Sequence, residues 1–348
     1  MDKGHLWFPL PLLAYDSDQR LTIGASLQLT KFGFRKIPFE NKQNLSVSYS
    51  TGFKKFTITY DADFYGITKN SYLNILLSGT EHFTTRYFGY GNETNFNKNL
   101  ELEDYYDVNQ ELLIIRPTFN YTISKYFNSS AGLSVIKTQT EANNKDLISS
   151  AKYGSYGITQ LNPLGIHLGV TLKNIDNIHF PKTGYSVEML GSAFPAVFNI
   201  PQSFETLDID VRTYFTIKDF SNLTIALRTG ARKVWGKYPF FAGAALGGKE
   251  NLRGYLNKRF SGDASVFGQL ELRNYLTDLK LILKSKLGVL AFAEAGRVFA
   301  VNETSTKWHP SYGFGFWLAY LDSTLVLNSY VAFSPENTIF SFGFELPF

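Results

Sequence analysis

The sequence of 348 residues has no cysteine, no long apolar run and no block of like charge. The missing cysteines exclude disulfide staples and thiolate metal sites. No apolar run approaches the roughly 18 to 20 residues that a membrane-spanning helix needs, so a helical membrane protein is excluded. The 34 basic and 30 acidic side chains are spread along the whole chain. Because no basic arm or stripe could track a phosphate backbone, nucleic acid is not expected as a partner.

Local catalytic motifs are absent as well. There is no Gly-x-Ser-x-Gly elbow and no His-Glu-x-x-His, and the 5 histidines lie far apart in the sequence. A near match to a phosphate-binding loop, with Gly243, Gly248 and Lys249, continues with Glu250 where the motif needs Ser or Thr for magnesium. We therefore predict a protein that is not an enzyme and holds no metal and no cofactor. A hydrolase built from several strands would leave no local signature, so that alternative stays open.

What the sequence does contain is alternation. The stretch LTIGASLQLT, Leu21 to Thr30, is apolar at every odd position and small or polar at every even position. The stretch ETLDIDVRTYFTI, Glu205 to Ile217, repeats the pattern with charges of both signs on the polar face. A period of two predicts β-strands with one apolar face. Such strands fit a soluble sandwich or a porin-like barrel, and the alternation by itself does not separate the two.

Strand length and aromatic placement favour the membrane. The alternating runs reach ten or more residues, whereas strands of soluble sheets typically have about five or six. Aromatic residues make up 16% of the chain, and they cluster near strand ends in SYGFGFWLAY and IFSFGFELPF. Aromatic girdles of this kind are typical of transmembrane barrels at the two membrane interfaces.

The alternation predicts an all-β protein, a sixteen-stranded antiparallel transmembrane β-barrel spanning residues 21–348, preceded by a periplasmic lead-in segment at residues 1–20. Short turns alternate with longer polar connections, which is the asymmetry of outer-membrane barrels. The predicted strands lie near residues 21–33, 43–51, 55–64, 71–80, 82–90, 107–123, 127–140, 164–173, 184–194, 205–217, 221–235, 264–277, 286–299, 309–320, 323–333 and 338–348.

The C-terminal octet fits the pattern polar-x-Gly-x-x-apolar-x-aromatic. Its four defining residues are Ser341, Gly343, Leu346 and Phe348. The octet resembles the sorting signal of bacterial outer-membrane barrels, which is read by the insertion machinery. The resemblance implies that the protein resides in the bacterial cell outer membrane.

A second resemblance begins at GGKENLRGY, from Gly247, and continues with GQLELR, from Gly268, and LAFAEAG, from Leu290. Together with DNIHFPKTG, from Asp176, these stretches resemble the BamA/TamA superfamily, also called the bacterial surface antigen family. In that family a long sixth extracellular loop folds back into the barrel lumen and carries a Val-Arg-Gly-Phe/Tyr motif. The corresponding residues in this sequence are Leu252, Arg253, Gly254 and Tyr255.

Two acidic residues are the expected partners of Arg253. The alternation places Glu271 and Glu294 on the inner, luminal face of neighbouring strands. An arginine fork inserted between two carboxylates would make bidentate, charge-assisted hydrogen bonds that a lysine could not reproduce. Gly254 would allow a tight turn, and Tyr255 would pack on the wall. The family usually has Asp where this sequence has Glu294.

The resemblance implies a protein that assists insertion or translocation of proteins or lipids at the outer membrane, through a lateral seam between the first and last strands. The implied partners are outer-membrane lipids and lipopolysaccharide, client outer-membrane or secreted proteins, and periplasmic accessory subunits. Periplasmic POTRA modules precede the barrel in the insertases, and the sequence predicts none in this chain. Two alternatives remain: a non-catalytic barrel that anchors or exports a separate domain, for example a patatin-like hydrolase, and a plugged passive pore.

Overall fold

The computed structural model describes residues 4–17, 20–33, 38–102, 104–141, 146–150, 156–217, 223–280, 284–320 and 325–344. Sixteen strands in this part of the chain close into one antiparallel barrel, and two short strands pair with each other inside a loop. The predicted all-β, sixteen-stranded architecture is confirmed. No helix among the described residues is long and apolar enough to cross a membrane.

The barrel strands are β1 (Gly4–Asp16), β2 (Arg20–Phe32), β3 (Asn41–Ser50), β4 (Lys55–Tyr65), β5 (Ser71–Arg86), β6 (Asp107–Ser124), β7 (Phe127–Glu141), β8 (Leu164–Ile175), β9 (Gly184–Phe194), β10 (Phe204–Ile217), β11 (Leu223–Gly236), β14 (Ala264–Lys280), β15 (Lys284–Phe299), β16 (His309–Tyr320), β17 (Leu325–Phe333) and β18 (Thr338–Phe344). The short pair in the loop is β12 (Ala244–Leu246) and β13 (Phe260–Gly262). Two one-turn helices, α1 (Lys98–Glu101) and α2 (Leu147–Ser150), and a 3-10 turn (Phe240–Ala242) lie in loops.

The two faces of the barrel wall are reversed relative to a soluble sandwich. In β2, the apolar Leu21 and Ile23 are exposed on the outer surface, whereas the polar Ser26 and Thr30 are buried inside. The aromatic side chains of Tyr312, Phe314 and Phe316 in β16 are 57 to 62% exposed. A continuous apolar outer band with polar residues inside is the arrangement of a transmembrane barrel, so the sandwich alternative is excluded.

The connections differ between the two ends of the barrel. In chain order, the long-loop end carries the connections 17–19, 51–54, 87–106, 142–163, 195–203, 237–263, 300–308 and 334–337. The short-turn end carries connections such as 66–70, 125–126 and 176–183. In outer-membrane barrels the long loops face outward and the short turns face the periplasm. On this orientation, the connection 237–263 between β11 and β14 is the sixth extracellular loop.

The first barrel strand begins earlier than the sequence indicated. Residues 4–16 form β1, which pairs with β2 along its whole length, so they are not a periplasmic lead-in segment. The stretch LWFPLPLLAY, residues 6–15, is apolar throughout and so shows no alternation, and its Pro9 and Pro11 lack an N–H donor. Proline is tolerated in a strand that lies at an edge. Among the described residues, β1 has registered pairs with β18 only at Tyr15 and Asp16, so neither proline has a registered partner on that side.

Two of the predicted strands are one. Residues 71–80 and 82–90 were expected to be separate, but β5 runs from Ser71 to Arg86. Its pairing with β6 shifts register between Thr80 and Phe83. An extra residue in a strand reverses which positions face inward, so one bulged strand reads as two in the sequence. The predicted total of sixteen is right because this division offsets the missing β1.

The sixth loop folds into the barrel. Its residues Leu246, Leu252 and Phe260 are buried in one cluster with Phe267 of β14 and Val298 of β15. The side chains of Phe267 and Val298 point to the inner face of their strands. The predicted insertion of this loop into the lumen is therefore confirmed.

Candidate functional site

The loop motif, residues 252–255, sits in a turn that its own backbone fixes. The Gly248 amide donates to the Tyr255 carbonyl at 2.9 Å, and the Gly247 amide donates to the Asn251 side-chain oxygen at 2.7 Å. Gly247 and Gly248 have φ angles of 121° and 89°, in the left-handed region that favours glycine. Gly248, which is part of the near match to a phosphate-binding loop, thus helps to shape the turn that presents Arg253.

Arg253 lies between the two carboxylates expected from the sequence. Its Nε donates to Glu294 Oε1 at 2.5 Å, and its Nη1 donates to Glu271 Oε2 at 2.6 Å. Its backbone amide also donates to Glu294 Oε2 at 2.8 Å. The three side chains are 0% exposed. We call this group of Arg253, Glu271 and Glu294 the Arg253 latch.

Neighbouring wall residues complete the partners of both carboxylates. Glu294 also accepts hydrogen bonds from Gln269 Nε2 and Ser311 Oγ, each at 2.9 Å. Glu271 Oε1 accepts from Arg273 Nε at 2.7 Å. Two arginines thus balance two glutamates in the buried site. Buried charges require this degree of pairing, because an unpaired one would retain a desolvation cost of several kcal/mol.

The guanidinium of Arg253 is also held against aromatic rings. Its central carbon lies 3.5 Å from the ring centre of Phe292 and 5.5 Å from that of Tyr330. Cation–π contacts of this kind strengthen when the cation is desolvated. Burial opposes the charged form of Arg253, but the carboxylates of Glu294 and Glu271 outweigh burial and raise the pKa above its ordinary value. The latch therefore holds a permanent cation.

Gly254 and Tyr255 fit closely against the barrel wall. A Cβ atom added to Gly254 would lie 2.8 Å from the Phe333 carbonyl oxygen and 2.9 Å from Ser311 Cβ. The glycine is needed for this close approach, whereas the sequence suggested only a tight turn. The Tyr255 hydroxyl donates to the Pro310 carbonyl at 3.2 Å. Both residues press the loop onto β16 and the end of β17.

A turn at the short-turn end reaches the Arg253 latch from the periplasmic side of the lumen. The turn 176–183 places Phe180 in the lumen, where its ring centre lies 4.6 Å from that of Trp317. Phe180, Trp317 and Phe292 belong to the same buried cluster. The Pro181 carbonyl also accepts a 3.4 Å hydrogen bond from Nη1 of Arg273, the residue that binds Glu271. Arg273 was not among the residues expected from the sequence to form this site.

The C-terminal pattern lies only partly within the described residues. Ser341 and Gly343 belong to β18, and Ser341 lies opposite Asp16 of β1. Leu346 and Phe348 lie outside the described residues. Recognition of this pattern as a sorting signal therefore stays a prediction.

The arrangement as a whole is suited to fastening a loop. The latch carboxylates accept their hydrogen bonds from protein donors. In the described part of the chain, no group of three or more His, Asp or Glu could hold a metal ion. The fold and this site together define a class: a plugged outer-membrane barrel whose sixth loop is tethered inside the lumen by an arginine.

Comparison with known families agrees with this class. The model of the Omp85 superfamily domain matches residues 6–334. The chain therefore belongs to the Omp85 superfamily and is an outer-membrane β-barrel, and the resemblance seen in the sequence is confirmed. Comparison with curated proteins gives no match.

Solved structures of the same fold include a BamA and two CdiB proteins. BamA from Haemophilus ducreyi lacking POTRA domains 1-3 is similar with a TM-score of 0.70 and 13% identity, over 99% of this chain and 70% of that chain. CdiB from Acinetobacter baumannii has a TM-score of 0.58 and 12% identity, over 99% of this chain and 60% of that chain. CdiB from Escherichia coli has a TM-score of 0.64 and 11% identity, over 97% of this chain and 62% of that chain. At these identities the likeness is one of fold.

Proposed function

We propose that this barrel assists the insertion or translocation of client proteins at the bacterial outer membrane, using the seam between β1 and β18 as a lateral opening. The clients would be outer-membrane or secreted proteins. Outer-membrane lipids and lipopolysaccharide would surround the seam, and periplasmic accessory subunits would deliver the client. Membership of the Omp85 superfamily and the fold shared with BamA and CdiB support this proposal.

The weak closure of the barrel is the observation that carries the proposal. Among the described residues, β1 and β18 share two registered pairs, Tyr15 with Phe342 and Asp16 with Ser341. Three further hydrogen bonds join Ser17 and the backbone of Phe340. The Ser17 amide and hydroxyl donate to the Phe340 carbonyl at 2.9 and 3.2 Å, and the Phe340 amide donates to the Ser17 hydroxyl oxygen at 2.9 Å. By contrast, β17 pairs with β18 through all seven described residues of β18. In the part of the chain that the structure describes, few ladder bonds must break to open this seam.

The prolines of β1 add to the effect. A strand interior that carries Pro9 and Pro11 cannot donate a full ladder of hydrogen bonds on both edges. Because β1 is registered with β2 along its whole length, the missing donors weaken pairing mainly on the seam side. The seam is therefore the edge at which a client strand could add.

The filled lumen favours this function over a passive pore. The Arg253 latch holds the sixth loop across the lumen, and Phe180 enters from the other end. Conductance of the purified barrel in a planar bilayer tests this alternative directly. We expect no steady open channel, and a stable large conductance would favour a pore.

A disulfide across the seam tests the proposal. Tyr15 and Phe342 lie directly opposite each other, and Cβ atoms of such pairs are about 4.5–5.5 Å apart, close to the distance that a disulfide spans. The chain has no cysteine, so the double variant Tyr15→Cys/Phe342→Cys contains a single possible bridge. We expect the oxidised variant in proteoliposomes to lose its acceleration of the folding of an unfolded eight-stranded outer-membrane barrel, and the reduced variant to regain it.

A disulfide between two strands away from the seam serves as the matched control. Tyr312 and Phe333 are registered partners in β16 and β17, a pair of strands not expected to separate. Oxidised Tyr312→Cys/Phe333→Cys should accelerate client folding as well as the unmodified barrel does. If the staple across the seam is equally harmless, the lateral opening is wrong.

A further inference from the structure

Beyond the Arg253 latch, the sixth loop contacts the β17–β18 hairpin at three successive points. Gly254 packs against the carbonyl group of Phe333, at the end of β17. Leu256 shares a buried apolar cluster with Ile339 of β18. Arg259 forms an ion pair with the turn between the two strands. The loop therefore lies along the hairpin that ends in the seam.

The ion pair of Arg259 has the geometry of a fork. Its Nε donates to Glu336 Oε2 at 2.7 Å, and its Nη2 donates to Glu336 Oε1 at 2.8 Å. The guanidinium also donates to the hydroxyl and the carbonyl of Thr94 at 2.7 and 2.6 Å. Arg259 is 1% exposed, and the rings of Phe88 and Phe260 lie over its charge. Bidentate, charge-assisted bonds in such surroundings are strong and directional.

The turn that carries Glu336 is ordered by its own hydrogen bonds. The Ser334 amide donates to the Asn337 carbonyl at 2.9 Å. The Ser334 hydroxyl oxygen accepts from the amides of Glu336 and Asn337 at 3.2 and 3.0 Å. Because this turn cannot adjust freely, a restraint on the Glu336 carboxylate restrains the whole tip of the hairpin.

The tip of the hairpin is also the place where the seam is held. Phe340, the residue that exchanges hydrogen bonds with Ser17 of β1, lies four positions after Glu336. Movement of β18 away from β1 at the long-loop end would pull Glu336 away from Arg259. The same carboxylate thus couples the inserted loop to the closing strand.

We propose that Arg259 and Glu336 form a clamp that keeps the seam closed at the long-loop end, separate from the Arg253 latch. Arg259 is a positioning residue: it holds the β17–β18 hairpin against the sixth loop, and release of this ion pair permits β18 to leave β1. The proposal rests on the lateral opening proposed above. It assigns to the sixth loop control of the seam in addition to filling of the lumen.

Two distances measured by pulsed EPR on full-length barrel in lipid nanodiscs test the clamp. Because the chain has no cysteine, paired spin labels can be placed without background. Labels at Leu13 and Phe340, both exposed on the outer surface, report the width of the seam. Labels at Lys237 and Thr338, both exposed at the long-loop end, report the position of the hairpin relative to the loop.

The test variant is Glu336→Gln, which keeps size and shape but removes the charge. We expect both distance distributions to gain a longer component. The fraction of open barrels should rise roughly tenfold, because the free energy that hydrogen bonds to a charged group contribute corresponds to a change of about this order in an equilibrium constant. Arg259→Lys, which keeps the charge but loses the fork, should give an intermediate rise. Unboiled gel migration checks that each variant is a folded barrel.

Glu303→Gln is the matched control. Glu303 joins two other loops of the same end by accepting bonds from the amides of Asn92 and Glu93, and these bonds do not involve the hairpin. An equal rise with Glu303→Gln, no change with Glu336→Gln, or a change confined to the pair Lys237 and Thr338 would each overturn the clamp. If the lateral opening itself is wrong, a different experiment shows it: the oxidised Tyr15→Cys/Phe342→Cys variant will accelerate client folding as well as the unmodified barrel does.

Discussion

Replacement of Arg253 by alanine should markedly lower the free energy of unfolding of the barrel. Removal of one partner from a buried ion pair costs about 3–5 kcal/mol, because the remaining charge stays buried without its counter-ion. Here Glu271 keeps Arg273, and Glu294 keeps two neutral donors. We therefore expect a loss near the lower end of that range, about 3 kcal/mol.

Urea titration of the refolded barrel in detergent micelles measures this loss. Tryptophan fluorescence is a suitable signal, because Trp317 shares a buried cluster with Phe292, on which the Arg253 guanidinium rests. At about 1–3 kcal/mol per M of urea, the midpoint should fall by roughly 1 to 3 M. The temperature at which unboiled barrel unfolds on a gel should fall in parallel.

Two further substitutions separate the latch from a general effect of charge. Arg253→Lys keeps the cation but cannot bind both carboxylates through a planar fork, so we expect a smaller loss of about 1–2 kcal/mol. Lys31→Ala removes an ion pair with Glu40 in which both side chains are more than a third exposed, and it should cost less than about 1 kcal/mol. If Arg253→Ala shifts the midpoint no more than Lys31→Ala does, the reasoning about the latch is refuted.

Four other substitutions, of which Gly343→Ala is a control, probe the fit of the residues that fill the lumen, each by the same titration. Gly254→Ala should cost about 1–3 kcal/mol, because the new Cβ would lie 2.8 Å from the Phe333 carbonyl oxygen. Gly343→Ala, whose Cβ would meet only an ordinary contact at 3.5 Å, should change little, and equal effects would contradict the close fit. Glu294→Asp should cost about 1–2 kcal/mol because the shorter side chain cannot keep all its donors, and an unchanged midpoint would show that the wall adapts. Phe180→Ala should cost about 3–5 kcal/mol through the cavity left in its aromatic cluster, and a loss below about 1 kcal/mol would show that the turn does not fill the lumen.

Most barrel strands follow from alternation, and the exceptions have local physical causes. β1 was not predicted because residues 6–15 are apolar throughout and show no period of two, and because Pro9 and Pro11 argue against a strand inside a sheet. That argument does not apply at the seam, where, among the described residues, neither proline has a registered partner on one edge. β5 was divided because a register shift after Thr80 reverses the inward positions. Both errors arise because the way a strand pairs with its neighbours cannot be read from the sequence of that strand alone.

Some contacts of the site could likewise be predicted from the sequence, and others could not. The partners of Arg253 could be predicted, because alternation fixes the inner faces of two adjacent strands and the loop motif supplies the arginine. The pair of Arg259 and Glu336 could not, because its members are 77 residues apart and neither lies in a regular pattern. Insertion of Phe180 likewise depends on the width of the lumen and on the strand opposite, which the sequence does not show.

Sequence separation also sets an order for assembly. The latch joins residues 18 and 41 positions apart, whereas the bond between Ser17 and Phe340 spans 323 positions. The entropic cost in free energy of closing the loop between Ser17 and Phe340 exceeds that of closing the loop between Arg253 and Glu271 by about 2.6 kcal/mol. We therefore expect pulse-labelled hydrogen exchange during refolding to protect the amide of Arg253 before that of Ser17, which donates to Phe340 across the seam. The sixth loop would then be bound to the inner wall before β1 and β18 close the barrel around it.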